Sequence, residues 1–194
     1  MDAAPPVVIA LVGSTGGLAA VSTVLESLPA ELPAAVLVLL HQSPDRVSRV
    51  AEILDRRCSL PVTAAADGDV LRAGRVLVAP SGKHLLVTHA GRVALIVSGV
   101  FPPSRPSADL LLTTLATACR ERAVAVVLSG NGHDGATGAA AVHAFQGKVI
   151  ASDQATSEVF AMPDAAIAHD HAVDFVLPLD EIPAQLVRCA SEAR

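Results

Sequence analysis

Hydrophobic positions along this chain follow two alternating patterns. Val7–Val12, Ala35–Leu40 and Ala123–Leu128 are almost unbroken apolar runs bounded by Gly, Pro or Ser. Runs of this kind mark parallel strands covered on both faces. Between them lie stretches with helical spacing: Gly17–Leu28, a segment near Asp45–Arg57 with Pro44 just before it, Ser107 to about Arg122, Gly135–Phe145 and Leu179–Ala190. Pro29 and Pro33 bracket the first helix-to-strand connection, and Ser107 is placed to cap the helix that follows it. Shorter strands are predicted at Pro61–Ala65, Arg75–Val78, Leu85–His89, Arg92–Val97, Lys148–Ala151 and Val173–Leu177. His89-Ala90-Gly91-Arg92 reads as a hairpin turn, and Phe101–Pro106 as a proline-rich loop. The order predicts a doubly wound α/β fold: a mainly parallel sheet, helices on both faces and an inserted antiparallel hairpin. No repeat or linker divides the chain, so residues 1–194 are read as a single domain with residues 1–6 as a disordered tail.

Composition narrows the function classes. Of the 194 residues 52% are hydrophobic and 17% charged, which excludes a disordered chain. There is no Trp or Tyr and the formal charge is -5, so a nucleic-acid partner is not expected. No apolar run approaches the roughly 20 residues of a membrane span, and Met1-Asp2-Ala3-Ala4-Pro5-Pro6 lacks the basic segment of a signal peptide. Cys58, Cys119 and Cys189 are widely spaced and are read as reduced thiols, in keeping with a cytoplasmic protein.

Candidate chemistry gathers at strand ends. The first strand runs into Gly13-Ser14-Thr15-Gly16-Gly17, a small turn that opens a helix. A helix N-terminus at the carboxyl edge of a parallel strand suits a bound phosphate or a developing oxyanion, and the turn alone does not decide between them. His41 ends the second strand, and Asp134 lies in the glycine-rich turn Ser129–Gly135 after another. In one parallel sheet these three ends share an edge. Ser, His and Asp together are the parts of an activated nucleophile. Singly, each has a plainer reading: Ser14 as a cap or phosphate ligand, His41 as a satisfied structural residue, Asp134 as a turn residue.

An ordered series of motifs resembles the catalytic domain of the CheB family, the bacterial chemotaxis protein-glutamate methylesterases. The series is Ser14-Thr15-Gly16-Gly17, Val36–His41, Asp67-Gly68-Asp69 with Leu71, Ala79–Leu85, Arg105–Asp109, Ser129-Gly130 with Gly132 and Asp134-Gly135, then Asp153–Ser157 with Phe160 and Met162-Pro163. The resemblance implies hydrolysis of γ-glutamyl methyl esters on chemoreceptor helices, with deamidation of receptor glutamines as a second activity and no cofactor. Ser14 would be the nucleophile, His41 the base and acid, and Asp134 the orienting carboxylate. Thr15, Gly16, Asn131 and Gly132 are the expected oxyanion or substrate-binding positions. Arg105 would meet an acidic receptor surface, or simply anchor its loop. Lys83 and His84 are read as substrate contacts or as parts of a surface hairpin. The sequence departs from the family's usual residues at Val12, Leu40 and Asn131, and Val12 is expected to crowd the approach to Ser14. Only six residues precede the first strand, so a stand-alone or excised, constitutively active domain is expected, with a separate receiver protein as the alternative regulator.

Two rivals use the same residues. A nucleotide-binding module would exploit the glycine turn, but the full Gly-x-Gly-x-x-Gly spacing is missing and His41 stands where an acidic ribose ligand belongs. A catalytically impaired or inactive partner-binding domain of the same fold is the second. His133-Asp134 and His169-Asp170-His171 bring metal-ligand types together without a fixed metal spacing, and the latter is read as a solvated loop.

Overall fold

A computed structural model describes residues 6–43, 47–98 and 104–192. Seven parallel strands form one sheet in the order β3-β4-β2-β1-β7-β8-β9. They are β1 (Val7–Gly13), β2 (Ala34–Leu40), β3 (Val62–Ala64), β4 (Arg75–Val78), β7 (Ala123–Val127), β8 (Lys148–Ser152) and β9 (Phe175–Leu177). β5 (His84–Val87) and β6 (Val93–Ile96) pair separately as the antiparallel hairpin. The doubly wound architecture read from the sequence is the one observed.

The central strands are buried on both faces, and alternate residues feed two cores. Val8, Ala10 and Val12 of β1 pack with α3 (Ala108–Cys119), α4 (Ala136–Ala144), α5 (Ala161–Ala168) and the hairpin. Val7, Ile9 and Leu11 pack with α1 (Gly17–Glu26), α2 (Val50–Asp55) and α6 (Ile182–Glu192). α6 buries Ile182, Leu186, Cys189 and Ala190, the stripe of a helix lying on a sheet. No helix among the described residues is long and apolar enough to cross a membrane.

Two elements differ from expectation. The helix near Asp45–Arg57 is described only as Val50–Asp55, and Pro44, Asp45 and Arg46 lie outside the described residues, as do residues 1–5 of the expected tail and Phe101–Pro103 of the proline-rich loop. Helix α5 was not anticipated: Pro163 and the Phe160-Ala161-Met162 lead-in obscure its period, although proline is acceptable in the first turn of a helix.

Chain order fixes where a site can form. From β1 the chain moves through β2 to β4 on one side, then returns to β7 on the other. The carboxyl end of β1 is therefore a topological switch point, where open α/β sheets leave a crevice. α3 and α4 cross closely above it: a Cβ on Gly138 would stand 2.6 Å from Leu112 Cβ and 3.1 Å from the Asp109 backbone. Gly138→Ala gains about 1 kcal/mol of helix propensity but overpacks this crossing at a cost of about 1–3 kcal/mol. A net fall in the urea unfolding midpoint is expected.

Candidate active site

β1 and β2 are in parallel register with Gly13 opposite Leu40, so Ser14 and His41 follow side by side. The His41 N–H donates to the Gly13 carbonyl at 3.1 Å, and the Ser14 N–H donates to Ser129 O at 2.9 Å. Three strand ends are thus tied together by backbone alone. Gly13 and Gly17 leave room for Leu40 Cδ2, which a Cβ on Gly17 would meet at 2.9 Å. Gly130 is pressed against the serine: a Cβ there would lie 2.8 Å from Ser14 Cβ and 2.2 Å from Met162 Sδ.

Asp134 reaches the site from the turn after β7. Its Oδ2 lies 2.7 Å from His41 Nε2 and accepts the Ala108 N–H at 2.7 Å. Its Oδ1 accepts the Asp109 N–H and the Ser107 hydroxyl, both at 3.0 Å. The carboxylate thus sits on the N-terminus of α3, where unpaired N–H groups and the helix dipole favour negative charge. Burial pushes the Asp134 carboxyl up, but the hydrogen bonds from His41 and from the Asp109 and Ala108 backbone outweigh it and hold the group below the usual carboxylate range. The favour is returned: Asp109 Oδ1 accepts the N–H groups of Gly135 and Gly138 at 2.9 and 2.8 Å, capping α4. Burial pushes the Asp109 carboxyl up, and the Asp134 charge adds to the rise against these bonds.

The imidazole is held by Nε2, leaving Nδ1 without a partner among the described residues. The Ser14 hydroxyl likewise makes no hydrogen bond among the described residues. His41 and Asp134 are brought into contact, while Ser14 stands at the neighbouring strand end unbonded to either. The Thr15, Gly16, Asn131 and Gly132 N–H groups have no partner among the described residues, whereas Gly130 N–H is committed to Val159 O at 2.9 Å. Asn131 Nδ2 donates to Thr15 Oγ1 at 3.1 Å and joins the two turns. A cavity of about 450 Å³ opens beside His41, lined in part by Ser107, Leu110, Asn131, Gly132 and Asp134.

Other expectations are placed elsewhere. Val12, expected to crowd Ser14, is fully buried, and its Cγ2 packs beneath the Asp134–Gly135 turn. Arg105 does not line the cavity; its Nε is buried with no partner among the described residues. His84 is not at the surface but wholly buried behind Ser107. Asp109, Ser129 and Met162 were missed as site-building residues. The signals for Asp109 were a Ser-x-Asp beginning a helix and its place in the Arg105–Asp109 motif, and neither indicates that it caps a different helix. His169-Asp170-His171 lies in the loop after α5, and among the described residues no group of three or more His, Cys, Asp or Glu is arranged to hold a metal.

Fold and site describe an open parallel α/β domain with a histidine–carboxylate pair beside a serine at its switch point. The chain belongs to the CheB methylesterase family, whose model matches residues 9–186. It is 42% identical to protein-glutamate methylesterase/protein-glutamine glutaminase 1 of Myxococcus xanthus (strain DK1622), over 98% of this chain and 56% of the relative. It is 41% identical to the corresponding enzyme 6 of Anaeromyxobacter dehalogenans (strain 2CP-C), over 97% of this chain and 56% of that one. The chain therefore spans just over half the length of these curated relatives. The crystal structure of the Thermotoga maritima CheB methylesterase catalytic domain superposes with a TM-score of 0.88 at 33% identity, covering 94% of this chain and 98% of that one.

The aspartate exchange makes two expectations measurable. Because the Asp134 carboxyl is lowered by folding, its ionised form contributes stability that is present above about pH 4. That contribution is lost as pH falls through the lowered value, and Asp134→Asn flattens this part of the stability-against-pH curve in urea titrations. Asp109→Ala leaves two α4 N–H groups without their acceptor and costs about 1–2 kcal/mol, whereas Asp109→Asn keeps the accepting oxygen and loses less in the same titration.

Proposed function

We propose that this chain hydrolyses γ-glutamyl methyl esters on the cytoplasmic helices of chemoreceptors, releasing methanol, with deamidation of receptor glutamines as a second reaction. The observation that carries this reading is the 2.7 Å contact between His41 Nε2 and Asp134 Oδ2, set beside a serine in β1–β2 register. The names of the relatives supply the substrate class.

Ser14 Oγ attacks the ester carbonyl while His41, through its unpartnered Nδ1, takes the hydroxyl proton. Asp134 fixes the ring's tautomer and stabilises the imidazolium that forms. The tetrahedral oxyanion falls to the free N–H groups at the start of α1, Thr15 and Gly16, with those of Asn131 and Gly132 across the cleft. His41 then gives its proton to the departing methoxide, and methanol leaves a Ser14 acyl-enzyme. Water, activated by the same imidazole, attacks the acyl carbon and restores the serine. Amide hydrolysis at a glutamine follows the same path with ammonia as the leaving group.

The test is methanol release from membranes carrying methyl-esterified chemoreceptor. Ser14→Ala and His41→Ala are expected to lower kcat at least 10³-fold. Asp134→Asn, which disturbs the tautomer while keeping the side chain's shape, is expected to lower it about 10²- to 10⁴-fold. Circular dichroism checks that each variant is folded. Unchanged turnover in Ser14→Ala refutes the mechanism, and absence of turnover in the wild type favours the inactive-domain reading.

A further inference from the structure

We infer that His84 is a positioning residue for the reaction proposed above: from the inserted hairpin, it fixes Ser107 and through it the Asp134 carboxylate, and this inference rests on that reading of the site. His84 is 0% exposed and lies in β5, outside the seven-stranded sheet. Its Nδ1 is 3.1 Å from the Ser107 N–H and its Nε2 2.7 Å from Ser98 Oγ. A backbone N–H is only a donor, so Nδ1 must carry the lone pair and Nε2 the proton. The tautomer is therefore set by the chain itself, with Nε2–H donating to Ser98.

The line continues through Ser107. This residue caps α3: its Oγ accepts the Leu110 N–H at 3.4 Å and donates its proton to Asp134 Oδ1 at 3.0 Å. With its N–H held by His84, Ser107 presents Oγ to Asp134 from a fixed backbone. Asp134 presents Oδ2 to His41. One buried imidazole in the hairpin thus reaches the reacting imidazole through two intervening residues. Burial pushes the His84 pKa down and nearby Arg105 adds to this, with Asp134 opposing, so the neutral acceptor form is the one favoured. Nothing else in the reaction uses His84, and a residue needed only to fill space in the hairpin core has no call for a neutral hydrogen-bonding ring.

Three variants and two readouts test this. His84→Phe fills the space without an acceptor; His84→Asn returns an oxygen to the place of Nδ1. Ser107→Ala deletes the hydroxyl link to Asp134 together with the α3 cap on Leu110 N–H while keeping the backbone N–H that His84 accepts, and carries the same decision if His84→Phe does not fold. In the methanol-release assay, His84→Phe and Ser107→Ala are expected to lower kcat roughly 10- to 100-fold with KM changed less than about twofold, the scale of a small misplacement of a catalytic group. His84→Asn is expected to recover most of the loss. The second readout is the proton NMR signal of the His41 ring N–H bonded to Asp134, identified by its disappearance in His41→Ala and shifted downfield by its charged partner. It is expected to persist in His84→Asn and to move or broaden in the other two. Normal kcat and an unmoved signal in both His84→Phe and Ser107→Ala overturn the inference, as does a folded His84→Asn no better than His84→Phe. If the wild type releases no methanol, the proposed function fails, and the NMR signal alone then decides the role of His84.

Discussion

Everything at this site hangs on one carboxylate. Asp134 accepts four hydrogen bonds, two from the first backbone N–H groups of α3, one from the helix cap Ser107 and one from His41. Burying a charge is costly, and a carboxylate with this exposure would ordinarily be pushed toward its neutral form. Here the charge-assisted bonds, each stronger than a neutral one, prevail. An anion so fully engaged cannot rotate freely, and the ring it touches inherits that rigidity. Asp109 performs the same service for α4, so two helices are locked head to head by exchanged aspartates. The close crossing at Gly138 holds their ends near enough for the exchange.

The sheet supplies the other half of the geometry. A parallel ladder spaces neighbouring strands by about 4.8 Å, and the β1–β2 register puts Ser14 and His41 on adjacent strand ends. Short loops would not bring such residues together as reliably. The glycine turn then lets the chain reverse into α1 with Gly16 at φ 75°, a conformation that would strain a residue carrying a Cβ. Gly130 and Met162 close the floor beneath the serine, which explains why α5, though distant in sequence, belongs to the site.

How much of this was legible in the sequence follows from what each residue signals locally. The long buried strands announced themselves because Val7–Val12 and Ala35–Leu40 are apolar throughout, and their ends marked Ser14 and His41. Asp134 was legible as a turn residue, and its ordered place in the family motifs suggested its partner. The roles of Asp109 and His84 were not, since both act through backbone groups far along the chain, and no spacing rule encodes such a contact. His84 sits in an apolar hairpin, where the same letters describe a surface turn or a buried polar relay; only packing separates the two. α5 was hidden because Ala-Met-Pro-Asp-Ala-Ala has small residues on every face, giving a period too weak to read.

The three departures from the family's usual residues have different weights once their positions are known. Val12 is sealed beneath the Asp134–Gly135 turn, where its bulk packs toward Gly135 and away from the cavity surface. Leu40 is 4% exposed and packs its Cδ2 into the space left by Gly13 and Gly17, which firms the turn. Neither changes the groups that face the cavity. Asn131 does: it lines the space beside His41 and donates its amide to Thr15 Oγ1. That bond ties together the two turns whose N–H groups, without a partner among the described residues, flank Ser14. Of these three positions, Asn131 is therefore the one whose side chain shapes both the cavity wall beside His41 and the contact between the two turns.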